Sequence, residues 1–332
     1  MTLATVADWK VGTAIDRRRL SPILEIFRLT SEPGSRFPDY VPGQYIALRR
    51  DRCRLTKRAI GADGKERYVP DLNESGQPKI GPVTHSYSIA SAPWETSEHG
   101  CLEFYVVLER DEHGTVGRLS GSFFDMGRGD DSVSYVNRIT GNFTLQHRTN
   151  GFGSVLMVGT GTGVAPFVSM IKQLHYDARQ GRLPPVHYTL LHTNRTYEEL
   201  AYHQELLDIE ESGAFDFCYV ASVSRPSARN RSDPRLGSGR ANNLLRHIFG
   251  MPLKEEDDLH AVHAARGDDS RARDALARTV TPALPSQISR EELLRRCDPS
   301  RTVVLTCGNP ASMDDIKHVA DTHRMGFEKE DW

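Results

Sequence analysis

The stretch Val155-Leu156-Met157-Val158-Gly159-Thr160-Gly161-Thr162-Gly163-Val164-Ala165-Pro166 decides the architecture. Four apolar residues read as a strand buried on both faces, a glycine turn follows, and a helical pattern runs over 166–174. Glycines let the backbone turn sharply and approach a ligand closely, and free N–H groups at the positive end of a helix favour a phosphate. Pro166 suits the first helical turn. Thr160, Gly161, Thr162, Gly163, Ala165 and Pro166 are therefore candidate phosphate-binding residues, with an ordinary tight strand-to-helix turn as the plainer alternative.

Downstream of that loop, strand-like 187–192, helical 198–209, strand-like 215–223 and strand-like 302–306 continue the alternation that marks a parallel sheet with helices on its faces. Upstream, the rhythm differs. Short strands at 23–29, 44–48, 85–90, 102–108 and 132–136, punctuated by Pro42-Gly43, Pro93 and Gly114, predict a small antiparallel barrel or sandwich. The expected division is 1–147 and 148–332, with polar insertions at 49–83 and 254–300.

A length of 332 residues is enough for two cores. The 42 Lys and Arg against 44 Asp and Glu give a net charge of -2, without the basic excess of a protein that coats nucleic acid. No apolar run approaches the roughly 20 residues of a membrane helix, so a cytoplasmic protein, monomeric or weakly dimeric, is expected. Cys53, Cys101, Cys218, Cys297 and Cys307 are scattered, with no C-x-x-C pair. That spacing offers no disulfide framework, zinc ribbon or plant-type iron–sulfur cluster, so no metal is expected and redox chemistry would need an organic cofactor.

The loop reads G-x-G-x-G, and the next strand ends Leu191-His192-Thr193-Asn194-Arg195, with no carboxylate for a ribose 2′-hydroxyl. The strand after it ends Ser222-Val223-Ser224-Arg225, followed by Arg229, Arg231 and Arg235. Arginines beside a serine hydroxyl suit a 2′-phosphate, favouring NADP(H) over NAD(H); a solvated basic loop is the alternative. In the β half, His85-Ser86-Tyr87-Ser88 places a ring and hydroxyls on opposite strand faces. Gly117-Arg118-Leu119-Ser120-Gly121-Ser122 offers a second phosphate cradle.

These segments resemble the ferredoxin–NADP reductase superfamily, and within it the bacterial ferredoxin/flavodoxin–NADP reductases. The resemblance rests on Pro42-Gly43-Gln44-Tyr45, His85-Ser86-Tyr87-Ser88, Leu102-Glu103-Phe104-Tyr105, Gly117-Arg118-Leu119-Ser120, Gly129-Asp130, Gly141-Asn142-Phe143, the 159–166 loop, Glu199-Leu200-Ala201-Tyr202, Val223-Ser224-Arg225 and Cys307-Gly308-Asn309-Pro310, in the family's order. It implies an antiparallel Greek-key FAD-binding barrel followed by a parallel-sheet NADP-binding α/β domain. The implied FAD contacts are His85, Ser86, Tyr87, Ser88, Phe104, Tyr105, Arg118, Leu119, Ser120 and Trp332, with backbone N–H groups of Ser120, Gly121 and Ser122 on the pyrophosphate. The implied NADP contacts are Thr160, Gly161, Thr162, Gly163, Ala165, Pro166, Arg195, Ser224, Arg225, Arg235, Cys307 and Gly308. The family's R-x-Y-S arginine is His85 here, so either the flavin is held more weakly or Arg118 substitutes.

The resemblance further implies catalytic roles for Ser88 near the flavin N5, Cys307 beside the nicotinamide, Glu330 near the transfer site, and Trp332 as a ring covering flavin or adenine. The implied activity is hydride transfer between NADP(H) and FAD, with single electrons exchanged with ferredoxin or flavodoxin. Arg49-Arg50-Asp51-Arg52-Cys53-Arg54-Leu55-Thr56-Lys57-Arg58 has six basic residues and one acidic, which suits docking of an acidic carrier or equally a charged hairpin edge. The alternatives are an NAD(P)H-dependent reductase component of an oxygenase system, a free-flavin reductase, or a non-catalytic electron-transfer subunit.

Overall fold

A computed structural model describes residues 8–330 apart from 62, 63, 112, 128, 184 and 229 and the side chain of 231. Trp332, Arg229 and the Arg231 side chain, named above, lie outside the described residues. The chain divides into two compact units, Met1–Asn142 and Phe143–Trp332.

The first unit contains β1 (Trp9–Ser21), β2 (Leu24–Thr30), β3 (Tyr45–Arg54), β4 (Thr56–Ile60), β5 (Glu66–Pro70), β6 (Ile80–Ser88), α1 (Pro93–His99), β7 (Cys101–Val107), α2 (Arg118–Phe124) and β8 (Ser132–Thr140). Its main sheet runs β6-β3-β8-β1-β2-β7, and every pairing is antiparallel. The non-sequential order is that of a Greek key. Beyond β6, the Ala90 N–H donates to the Glu103 carbonyl of β7 at 2.9 Å, so the two ends of the sheet meet. Alternation turns Phe27, Leu29, Ile46, Leu48, Phe104 and Tyr135 inward. Phe27 centres the core, with the Phe104 and Phe123 ring centroids at 5.4 and 5.3 Å. The expected insertion at 49–83 lengthens β3 and adds the separate β4–β5 hairpin.

The second unit contains α3 (Leu145–Arg148), β9 (Ser154–Thr160), α4 (Ala165–Arg179), β10 (His187–Asn194), α5 (His203–Glu211), β11 (Phe217–Val223), β12 (Leu236–Ser238), α6 (Ala241–Phe249), α7 (Lys254–Ala264), α8 (Ser270–Arg278), α9 (Arg290–Arg296), β13 (Thr302–Cys307), α10 (Pro310–Thr322) and β14 (Gly326–Lys329). Six parallel strands run β12-β11-β10-β9-β13-β14. One face packs Leu156, Val158, Leu191, Val220 and Val304 against Leu244 and Ile248 of α6 and Ile316 and Val319 of α10.

The 254–300 stretch, expected as a polar surface insertion that is partly helical or disordered, is largely helical and also partly core. Ile288, Leu293 and Cys297 belong to the hydrophobic cluster. The buried Glu255 carboxylate accepts from Asn243 Nδ2 at 2.7 Å, and the buried Arg246 guanidinium meets Asp315 at 2.6 Å and Asp257 at 2.6 Å. Charge density concealed this packing, because its acidic residues face arginine and asparagine side chains on α6.

Candidate active site

In the second unit the chain order reverses at β9: β10, β11 and β12 lie on one side and β13 and β14 on the other. A crevice opens at the carboxyl ends of parallel strands where the order switches. Gly159 pairs with Cys307 there, so the glycine loop and the Cys307-Gly308-Asn309 turn face each other. A Cβ on Gly163 would lie 2.3 Å from the Cys307 carbonyl oxygen, and one on Gly308 would lie 2.1 Å from Thr160 Oγ1. Gly308 also has φ of +132°, which an L side chain rarely adopts. The Asn309 N–H donates to Thr160 Oγ1 at 3.0 Å. Gly161 has φ of +57° and open space where a Cβ would point. Thr160, Gly161 and Thr162 are half-buried, whereas Gly163, Ala165 and Pro166 are buried. The last three shape the turn from inside, and Thr160, Gly161 and Thr162 form its more accessible part.

Two candidate catalytic residues meet beside this loop. The fully buried Cys307 thiol donates to Glu330 Oε2 at 3.2 Å, and Glu330 is itself 3% exposed. The β13–β14 register ends at Thr306 opposite Lys329, and the Glu330 N–H donates to the Thr306 carbonyl at 3.1 Å, which turns the carboxylate toward Cys307. Burial, reinforced by the Glu330 charge, pushes the thiol pKa well above its ordinary value. Cys307 is therefore held as a protonated donor rather than a thiolate.

At the ends of β10 and β11, the Ser224 N–H donates to the Asn194 carbonyl at 2.9 Å and the Arg225 N–H to the Arg195 carbonyl at 2.8 Å. Ser224 and Arg225 thus stand beside Arg195. The Arg195 guanidinium is held along one edge, through Nε and Nη2, by the buried Glu199 carboxylate, with Nε to Oε2 at 2.9 Å. Arg235 pairs with Glu211 at 2.5 Å. Of the arginines expected at a 2′-phosphate and described here, Arg195 and Arg235 are already neutralised, and Arg225 is exposed.

Sequence reasoning missed a buried relay nearby. The Tyr219 hydroxyl lies 3.0 Å from His192 Nδ1 and 3.0 Å from His203 Nδ1. Full burial lowers the His192 pKa to about 3. His192 Nε2 has no hydrogen-bond partner among the described residues. A bare nitrogen lone pair is less costly there than an orphaned N–H, which assigns the proton to Nδ1, donating to Tyr219, whose hydroxyl donates to His203. Histidines spaced eleven apart with a tyrosine sixteen further on carry no local signal.

In the first unit His85 and Arg118 line one cleft of about 330 Å³, together with Glu109, Arg110, Asp111 and Gly117. Both side chains therefore border that cleft, with Arg118 placed where it can serve an anion beside the histidine at position 85. α2 begins after Gly117, where a Cβ would lie 2.6 Å from Ser120 Oγ. The Gly121 N–H already donates to the Gly117 carbonyl at 2.8 Å, so the donors left at the helix start are those of Arg118, Leu119 and Ser120 rather than the expected Ser120, Gly121 and Ser122. Arg17 and Arg19 of β1 fix the other end of this helix. Arg17 donates to the Phe123 carbonyl at 3.0 Å and Arg19 to the Phe124 carbonyl at 3.0 Å, and both pair with the buried Glu25.

The half-buried Tyr87 ring meets Phe123 edge-on at 5.5 Å, and Ser88, on the opposite strand face, is 6% exposed. Desolvation, with the nearby Glu109 charge, raises the Tyr87 phenol pKa. Ser86 is exposed on the same face as Ser88. The Phe104 and Leu119 side chains, at 0% and 1% exposed, pack the barrel core, because alternation sends Phe104 inward with Leu102 and Val106, so Leu119 can offer a ligand only its backbone N–H. Tyr105, the alternate residue of that strand, is also buried, at 4%. Within the basic run, Arg50 is 4% exposed and pairs with Asp130 at 2.9 Å while donating to Ser122 Oγ at 3.1 Å. It belongs to the barrel interior, so only its neighbours contribute to a basic surface.

Residues 157–259 match the family model of the oxidoreductase NAD-binding domain. A ferredoxin–NADP reductase of Azotobacter vinelandii is 29% identical over 185 residues, 53% of this chain and 65% of that protein. The chain thus matches under two thirds of that relative's length. A crystal structure of a ferredoxin NADP+ reductase from Neisseria gonorrhoeae with bound FAD and NADP superposes with a TM-score of 0.57 at 20% identity, covering 98% of this chain and 99% of that one. The cytochrome b5 reductase domain of Ulva prolifera nitrate reductase superposes with a TM-score of 0.56 at 14% identity, covering 97% of both chains. An antiparallel barrel followed by a parallel nucleotide-binding sheet is the two-domain reductase architecture. The chain shares its two-domain fold with these reductases, and its second unit carries the match to the oxidoreductase NAD-binding domain.

Proposed function

We propose that the protein is an FAD-dependent reductase that moves a hydride between NADP(H) and the flavin and passes electrons singly to or from a small carrier, ferredoxin or flavodoxin. The observation that carries this reading is the convergence of the glycine loop, the Cys307 thiol and the Glu330 carboxylate at the β9–β13 crevice. FAD, when bound, supplies both two-electron hydride chemistry and one-electron transfer. The chain's part is positioning. Gly161 and Thr162 present backbone N–H groups to a pyrophosphate, Ser224 and Arg225 take the 2′-phosphate, and Cys307 with Glu330 bounds the nicotinamide pocket. His85, Arg118 and the first-turn N–H groups of α2 suit the flavin pyrophosphate; Tyr87 and Ser88 face its ring. The open space at Gly161 and the cleft of about 330 Å³ lined by His85, Gly117 and Arg118 support these placements.

A second reading keeps the chemistry and changes the acceptor to a partner protein of an oxygenase system. Burial of Arg50 favours it, since the basic run offers a carrier less charge than its sequence suggests. The decisive experiment is the visible spectrum of the purified protein followed by titration with NADPH and NADH. A flavin spectrum bleached preferentially by NADPH supports the proposal; a colourless protein overturns it, and equal response to NADH removes the roles of Ser224 and Arg225.

A further inference from the structure

We propose that the β4–β5 hairpin, which lies outside every motif of the family resemblance, forms a subsite for the adenosine half of the flavin dinucleotide, with Tyr68 as its stacking ring. The inference rests on the flavin reading above. Thr56 and Tyr68 of the hairpin form one side of the 330 Å³ cleft whose other side is His85, Glu109 and Arg118. A cavity of that size is within the range that holds small ligands. The hairpin register pairs Thr56 with Pro70 and Arg58 with Tyr68, so alternation puts Thr56, Arg58 and Tyr68 on one face.

Tyr68 is 44% exposed, and the Arg58 guanidinium lies 5.9 Å from its ring centroid. Thr115 Oγ1 donates to the Tyr68 carbonyl at 3.2 Å, bracing the hairpin against the barrel loop. The cleft therefore offers cations for a pyrophosphate, a carboxylate that can accept from ribose hydroxyls, and an accessible aromatic face for a purine. Glu109 disfavours a further phosphate on that ribose, which selects the adenosine of FAD over that of NADP.

The test uses the full chain freed of flavin and titrated separately with FAD and with FMN, which lacks the adenosine half, following flavin fluorescence. Tyr68→Ala should weaken FAD binding roughly tenfold, the worth of one base stacked on an aromatic ring, and leave FMN binding unchanged. Tyr68→Phe should retain FAD affinity. Unchanged FAD affinity in Tyr68→Ala, or equal losses for FAD and FMN, would overturn the subsite. A wild-type protein that binds FMN as tightly as FAD removes the subsite and leaves the flavin reading standing, whereas failure to bind either removes both.

Discussion

The Cys307 thiol and the Glu330 carboxylate, 23 residues apart, share a hydrogen bond of 3.2 Å inside the second unit. A thiol held protonated by burial and by a carboxylate is a poor nucleophile. Iodoacetamide at neutral pH should leave Cys307 unlabelled in the native protein and label it after denaturation, as read by peptide mass mapping. Rapid native labelling would contradict the assigned protonation state.

Gly163 and Gly308 are fixed by close approach rather than by turn preference alone. Gly163→Ala forces a methyl group against the Cys307 backbone, and Gly308→Ala adds a left-handed φ to a clash with Thr160. Each should lower stability by about 1–3 kcal/mol, the usual cost of overpacking. NADPH affinity should drop with it while flavin content is kept, which equilibrium unfolding and coenzyme titration would measure together.

Arg225 and Arg195 should differ although both are arginines at a strand end. Glu199 already occupies the Arg195 guanidinium, whereas Arg225 is exposed. A hydrogen bond to a charged group is worth about 1.5–3 kcal/mol, so Arg225→Ala should raise the KM for NADPH roughly tenfold or more and leave that for NADH unchanged. Arg195→Ala should do less. Steady-state kinetics with both coenzymes would decide, and equal effects of the two variants would count against the assignment.

The relay of His192, Tyr219 and His203 predicts acid sensitivity. Its sign follows from proton binding: burial depresses the His192 pKa from 6.5 to about 3, so between those values the unfolded chain carries a proton that the folded chain lacks. Stability is thus present above pH 6.5 and is lost as pH falls toward 3, by at most about 1.4 kcal/mol per pH unit. The His203 pKa is lowered too, first by burial, with Asp233 and Arg235 acting in opposite directions, and it adds to the same trend. Urea unfolding at pH 7 and pH 5 should show the loss, and His192→Gln should shallow it. Tyr219→Phe should cost about 1–3 kcal/mol at neutral pH by stranding both imidazoles.

The parallel half was legible because its strands are apolar on both faces and its glycine loop stands between a strand and a helix, signals confined to a few neighbouring residues. The strand β1 was not, since its arginines break the apolar alternation, and only the fold shows Arg17 and Arg19 reaching Glu25 and the end of α2. Cys307 and Glu330 could be named from motifs, but their contact depends on a β13–β14 register that no local pattern encodes. Glu109 and Tyr68 escaped notice for a similar reason. One follows a strand end and the other sits in a polar hairpin, and they share a cleft only through the path of the chain.

The glycine loop and the 307–309 turn that faces it lie far apart in the chain, with Asn309 bonded to a threonine 149 residues before it. A ribosome therefore releases the glycine loop long before the strand that completes it. Until β13 inserts beside β9, Val155, Leu156 and Val158 present an unpaired apolar strand edge. Nascent chains halted between 160 and 300 should accordingly recruit chaperones and aggregate, and they should gain coenzyme affinity only when the last strands have been made.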